Sequence, residues 1–233
     1  MFSPHHRFDN CRRLERAIRH LQQSNTIPEN ILKGYNRYHF ALLHKLKSAK
    51  YYAEQLQSVL STTSPEDIVK NSEVFLFAVN VSIDGFFYVA GSALDILARE
   101  VLTYFDIPMP LRVYYTTAHE QISARRAGDP ILTRLANPAW KDEFSDYRNA
   151  LTHELLIAGS YSINVDVDGS SQKTRIVFPL PDDPRVDPEA RTYKRNSDVI
   201  AYCTATFRRL LSLINTIYGD LTSRIENNNA LPI

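Results

Sequence analysis

Cysteine is scarce in this chain, with only Cys11 and Cys203 among 233 residues. Two thiols exclude a disulfide framework or a cysteine-rich zinc module as the basis of the fold. Each sits on an apolar stripe near one end of the chain and reads as a buried free thiol. An excess of charge of one sign is also missing. Lys and Arg total 27 against 26 Asp and Glu, a net charge of +1. That balance argues against a surface that coats nucleic acid broadly, and leaves room for a local basic site that grips a few phosphates. Nor is there an uninterrupted apolar run. The longest, Val74 to Ala98, contains Asn80, Asp84 and Asp95, and two carboxylates are costly in lipid. The opening Met1-Phe2-Ser3-Pro4-His5-His6-Arg7 lacks the apolar core of a signal peptide. The expectation is a cytoplasmic chain with no membrane partner, in which 74–98 is a central bundle helix. No internal repeat or interdomain linker is visible, so 1–233 reads as a single domain.

Helical periodicity dominates the rest. Phe8, Cys11, Leu14, Ile18 and Leu21 predict a first helix closing near Ser24-Asn25. A second opens at Pro28-Glu29, with the stripe Ile31, Tyr35, Tyr38, Leu42, Leu46, Ala49, Ala53, Leu56 and Leu60. Ser64-Pro65-Glu66-Asp67 is a helix start, with a capping hydroxyl, a first-turn proline and early carboxylates. Phe75, Val79, Ile83, Phe86, Ala90, Ala93, Leu97 and Val101 draw the next stripe, flanked by further apolar residues on nearly all sides. Gly85 and Gly91 weaken that helix intrinsically, and close approach of neighbouring helices accounts for them. A helix over 111–126, a short one after Asp129-Pro130, and one introduced by Asn137-Pro138 follow. After Gly159 the period changes to two: Ile163, Val165 and Val167 face Arg175 to Phe178 across Gly169-Ser170-Ser171-Gln172, a β-hairpin. Residues 179–188 read as loop, and Val199, Cys203, Leu210, Ile214, Ile217 and Leu221 as a last helix fraying at Asn227 to Asn229. The fold class is mainly α, an antiparallel helical bundle with one inserted β-hairpin near 162–178.

The chemistry-bearing segment is Arg148-Asn149-Ala150-Leu151-Thr152-His153. Its helix buries Trp140, Phe144, Tyr147, Leu151, Leu155 and Ala158 on one stripe. At about 100° per residue, Asn149 and His153 fall opposite that stripe, one turn apart, with Arg148 at its flank. Asp142, Asp146 and Leu156 share the outer face. Arginine and histidine recur at similar spacing in Arg13 to His20, Arg37 to His44 and Arg112 to His119, yet there the residue after arginine is Leu, Tyr or Val. Only Arg148 is followed by a polar group. Together the three supply what RNA cleavage without a metal requires. His153, with an ordinary pKa of about 6.5, exchanges protons near neutrality. Arg148 matches the oxygens of a phosphoryl transition state, and Asn149 orients the ring or a phosphate oxygen.

Tyr147-Arg148-Asn149 and His153 on a helix of a mostly helical chain resemble the Arg-x4–6-His signature of the HEPN superfamily. The match covers one helix. It implies a helical bundle of HEPN type, commonly homodimeric, with Arg148, Asn149 and His153 as the functional set. Many members are metal-independent endoribonucleases, including toxins and antiviral effectors, and inactive members exist. The implied reading is therefore a homodimeric endoribonuclease that needs no cofactor, a toxin or phage-defence effector with an antitoxin partner. The alternative is a non-catalytic module binding nucleotide, RNA or a protein through the same groove. Glu154 beside His153, with Asp142 and Asp146, lends weight to the alternative, because carboxylates repel phosphate unless turned away.

Other signals read as structure. Asn164-x-Asp166-x-Asp168-Gly169 begins like a calcium loop, but its twelfth position is Arg175 in place of a bidentate glutamate, so a strand with polar residues facing water is expected. His119-Glu120 near Tyr114 and Tyr115 reads as helix surface, and His39 and His44 with Tyr35 and Tyr38 as an aromatic-rich packing face. Neither pair has a companion ligand set for a catalytic metal, and no metal site is expected.

Overall fold

The computed structural model describes residues 9–62, 64–153, 161–168 and 171–228. Among them the chain is mainly helical, with eight helices and two small antiparallel strand pairs. The first two helices, α1 (Asp9–Gln23) and α2 (Glu29–Thr62), are separated by a short turn in which Asn25 adopts φ 54°. Asparagine tolerates that left-handed backbone better than most residues. Along α2 the stripe is buried as expected at Ile31, Tyr35, Leu42, Leu46, Ala49, Ala53 and Leu56. Between Tyr35 and Leu42, however, it is His39 that turns fully inward, while Tyr38 stays half-buried. An acceptor waiting on the facing helix is the reason, as described below.

Helix α3 (Pro65–Lys70) starts at Ser64, whose hydroxyl accepts the Asp67 N–H at 3.1 Å. It leads into α4 (Ser72–Tyr104), where all eight expected stripe residues are buried. The helix is not apolar-packed all round, since Val74, Phe77, Val81 and Tyr88 are exposed. Among the described residues α4 is the one helix long and apolar enough to cross a membrane, and 56% of its most apolar 18-residue window is buried in the protein.

The helix expected over 111–126 begins later, as α5 (Tyr115–Arg125). Leu111 is 97% exposed and makes no core contact that would hold a first turn. The Thr117 hydroxyl accepts the Tyr114 N–H at 3.0 Å and so sets the start there. A short α6 (Ile131–Leu135) and then α7 (Ala139–His153) follow. The hairpin pairs β1 (Ser162–Asp168) with β2 (Ser171–Val177), Asp168 opposite Ser171. Ser171 and Gln172 thus belong to the strand rather than to the turn, and the calcium-loop lookalike is strand over Ser162–Asp168. The first two residues of the expected 179–188 loop form β3 (Pro179–Leu180), paired with β4 (Ser197–Asp198). Proline is tolerated there because it opens a strand. Asp198 then caps the last helix, α8 (Val199–Asn228), accepting the N–H groups of Ile200 and Ala201.

The chain divides into two compact units. Unit 1 comprises Met1–Leu46, Ser92–Pro138 and Arg208–Ile233; unit 2 comprises Lys47–Gly91 and Ala139–Phe207. Helices α2, α4 and α8 contribute to both. In unit 1, α1 is joined to α8 by Asn10, whose side-chain amide donates to the Asn215 carbonyl at 2.9 Å. Arg224 on α8 donates two bonds to Asp129, at 2.7 and 3.1 Å, and Asp129 also accepts the Ile131 N–H that opens α6. Burial pushes the Asp129 carboxyl up, but the bonds from Arg224 and Ile131 outweigh it and hold it below its ordinary value. A lowered folded pKa means that the stabilisation is present at neutral pH and drains away as pH falls below the ordinary carboxylate value of about 4. Asp129→Asn is expected to cost about 1–3 kcal/mol at pH 7. The loss should shrink in urea melts as the pH is lowered toward 3.

Unit 2 has an aromatic core. Phe87 on α4 stacks on Phe144 of α7 (centroids 5.3 Å) and on Tyr202 of α8 (6.0 Å), while Tyr147 meets Tyr202 at 5.1 Å. The Tyr147 hydroxyl donates to the Pro181 carbonyl, tying α7 to the segment after the hairpin. Such rings bury large apolar areas and fix α7 in rotation about its own axis.

Candidate functional site

That rotation decides where the motif points. Phe144, Tyr147 and Ala150 face the core, Trp140 and Leu151 are half-buried, and Asn149 is exposed on the far side. Arg148 is half-buried at the flank. Its side chain lies across Gly91 of α4, so closely that a Cβ built on that glycine would stand 2.7 Å from Nε, 2.8 Å from Cδ and 2.9 Å from Cζ. The absence of a side chain at Gly91 is what lets the arginine stem lie down on the helix. Gly85 likewise makes room for the Tyr52 ring.

Among the described residues no carboxylate is paired with the Arg148 guanidinium. The acids nearest in sequence have other partners. Asp146 lies 3.6 Å from Arg185, which also holds Asp183 at 2.8 Å, and Glu143 pairs with Arg195 at 2.8 Å. The Arg185 bonds depress the exposed Asp183 carboxyl to about 2. Of the three carboxylates that speak against phosphate in the sequence, Asp146 is thus in part neutralised by Arg185, and Arg195 does the same for the neighbouring Glu143.

His153 is the last residue of α7. Its side chain, and Glu154, Leu155, Leu156 and Ala158, lie outside the described part of the structure. The helix carries Arg148, Asn149 and the His153 backbone together. A cavity of about 410 Å³ in unit 1, lined by Lys33, Arg37, Tyr38 and Thr103 among others, includes neither Arg148 nor Asn149.

A second constellation, missed in the sequence, is buried in unit 1. His39 and Glu100 are both fully buried. His39 Nδ1 is 3.0 Å from Glu100 Oε1, and Glu100 also accepts from the Tyr104 hydroxyl (2.9 Å) and the Tyr218 hydroxyl (2.6 Å). On the other side of the ring, Nε2 is 3.2 Å from Glu15 Oε1 and 3.8 Å from Cys11 Sγ. Tyr35 stacks on the imidazole, with centroids 4.8 Å apart. Burial alone would lower the His39 pKa. Hydrogen bonds to Cys11 and Glu100, with the negative charge of Glu100, outweigh burial and raise it to about 10. Burial, reinforced by Glu100, keeps the Tyr104 and Tyr218 hydroxyls protonated. The packing-face expectation holds for His39, whose buried ring lies against Tyr35, Phe40 and Tyr218; what it left out is the polar company, which comes from α1, α4 and α8. The signal available in the sequence was a histidine one turn after Tyr35 on an apolar stripe.

Comparison with family models, curated proteins and solved structures returns no match for this chain.

Proposed function

We propose that α7 carries an RNA phosphate-binding and cleaving site, and that the chain is a metal-independent endoribonuclease of HEPN type acting as a homodimer. The observation that carries this reading is Arg148, laid over Gly91 with no carboxylate partner among the described residues. A guanidinium held that way is available to non-bridging phosphate oxygens, and its planar fork suits them. Asn149 stands exposed beside it. One turn further, His153 supplies proton transfer. RNA brings its own nucleophile: the 2′-oxygen attacks phosphorus, the bond to the 5′-oxygen breaks, and the products are a 2′,3′-cyclic phosphate and a 5′-hydroxyl.

One imidazole cannot both take the proton from the 2′-hydroxyl and give one to the 5′-oxygen on the opposite side of phosphorus. A second copy of the chain provides the other. Val74, Phe77, Val81 and Tyr88 form an exposed apolar face on α4, and at helical spacing Gly91 with its overlying Arg148 borders that face. A two-fold contact along it buries the apolar residues and brings two α7 helices to one cleft.

Purified protein incubated with mixed RNA and assayed within minutes of EDTA addition is expected to leave 2′,3′-cyclic phosphate ends. His153→Ala and Arg148→Ala should each lose at least about 100-fold in rate. RNA binding without cleavage by the unmodified chain would replace this reading with the non-catalytic one; neither binding nor cleavage would end it.

A further inference from the structure

We propose that Cys11, Glu15 and His39 form a zinc site that staples α1 to α2. The three donor atoms converge from two helices. Cys11 and Glu15 are one turn apart on α1 and so point to the same side, and His39 on α2 faces them. Sγ to Nε2 is 3.8 Å, Sγ to Glu15 Oε1 is 3.7 Å and Nε2 to Oε1 is 3.2 Å. The edges of a zinc tetrahedron with thiolate, imidazole and carboxylate ligands are about 3.3–3.6 Å, from bond lengths near 2.3, 2.0 and 2.0 Å. The circumradius of the observed triangle is about 2.1 Å, so a point in the plane of the three atoms is within bonding range of each, and shortening the two edges to sulfur by about 0.2–0.3 Å gives the tetrahedral spacing. These atoms stand out as a ligand-spaced group, all within 4.8 Å of one another.

Two features go beyond proximity. The first is the outer shell. A metal-binding histidine characteristically donates its second ring N–H to a carboxylate, which fixes the tautomer and aims the free nitrogen at the metal. Here Nδ1 faces Glu100 Oε1, and that carboxylate is itself held by two tyrosine hydroxyls. Four residues from three helices are thus engaged in presenting one nitrogen, Nε2, to Cys11 and Glu15. The second is the thiol. A protonated histidine accounts for the contacts to Glu15 and Glu100 and leaves the sulfur with two weak hydrogen bonds, at 3.7 and 3.8 Å, whereas a shared ion would take it as its softest ligand.

The donor set selects the ion. One soft thiolate, one borderline imidazole and one hard carboxylate suit zinc better than magnesium or calcium, which take oxygen alone. The Glu15 side chain is 33% exposed, whereas that of His39 is fully buried, so the ion and a water completing the tetrahedron enter from the Glu15 side. The site lies in unit 1 and the α7 motif in unit 2, so it is independent of the cleavage reading.

The test uses the full chain, purified without nickel affinity and stripped with a strong chelator. Zinc is titrated in against a chromophoric competitor. One equivalent is expected to bind, and thermal unfolding of the zinc-loaded protein should come several degrees higher than that of the stripped protein. Cobalt(II) in place of zinc should give a thiolate-to-cobalt charge-transfer band in the near ultraviolet, absent in Cys11→Ser. Glu15→Gln, half-exposed and easily tolerated by the fold, should keep that band and weaken zinc binding at least about tenfold, the lower end of what even outer-shell changes do. No stoichiometric binding, a cobalt spectrum without the thiolate band, or undiminished binding by Cys11→Ser would each overturn the site.

Discussion

His39→Leu is expected to lower the unfolding free energy of the zinc-free chain by about 3–5 kcal/mol, the usual result of removing one partner from a buried ion pair. Leucine has about the right volume, so little of the loss comes from a cavity. It comes from Glu100, fully buried and facing His39, Tyr104 and Tyr218. Without the imidazole the carboxylate keeps two hydroxyl donors but loses its counter-charge. A carboxylate stranded in the interior costs far more than an apolar pair in the same place. The companion experiment is His39→Leu combined with Glu100→Leu. The double variant should regain part of the loss, because no charge is left uncompensated. Recovery stays incomplete because the Tyr104 and Tyr218 hydroxyls then lack their acceptor. Urea unfolding followed by circular dichroism gives all three stabilities. A single-variant loss below about 1 kcal/mol would show that the network is not the keystone of unit 1 that its burial indicates.

The same network shows where sequence reading stops. Periodicity locates α1, α2, α4 and α8 because their buried residues recur at three and four over long stretches, from Cys11 to Leu21, Ile31 to Leu56, Phe75 to Val101 and Val199 to Leu221. Ser64 is legible as a cap for a local reason: its partner is the N–H of Asp67. Periodicity cannot choose between Tyr38 and His39, since both lie within the width of one helical face. Hydrophobicity favours the tyrosine. The choice is made by Glu100, remote in sequence, which offers the histidine an acceptor in the core. Leu111 fails in the opposite way, as an apolar residue at helical spacing with nothing to pack on. The zinc ligands are not read from the sequence, where Cys11 stands as a buried free thiol and no metal site is expected. No spacing rule links Cys11 and Glu15 to a histidine on the next helix.

The α7 motif was legible as a face, because Asn149 and Arg148 sit where helical geometry puts them relative to Phe144 and Tyr147. What the sequence did not disclose was the surface on which Arg148 lies. Nor did it show that Arg185 and Arg195 engage Asp146 and Glu143. Both facts bear on phosphate binding. They turn an arginine with acidic neighbours into a positive group whose neighbours are partly neutralised.

Gly91→Ala is expected to separate stability from function. In the interior of a helix, alanine is favoured over glycine by about 1 kcal/mol. The atoms nearest the new methyl are the outer ones of Arg148, Cδ, Nε and Cζ, at 2.7–2.9 Å. That end of a flexible side chain can swing away at little cost, so the fold should be as stable as before or slightly more so. The guanidinium, however, can no longer lie where it did. If its position over α4 is what aims it at phosphate, cleavage should fall at least about tenfold, toward the level of Arg148→Ala, as expected when an electrostatic group at the reacting phosphate is misplaced. Gly85→Ala is the control on the same helix. There the methyl meets the Tyr52 ring, a stiff group, and the cost should appear as about 1–3 kcal/mol of lost stability from overpacking. Thermal melts and RNA cleavage measured on both variants give a crossed pattern: Gly91→Ala stable but slow, Gly85→Ala less stable with its remaining folded fraction active. Full activity in Gly91→Ala would mean that Arg148 acts from some other position, and the site on α7 would lose the observation it rests on.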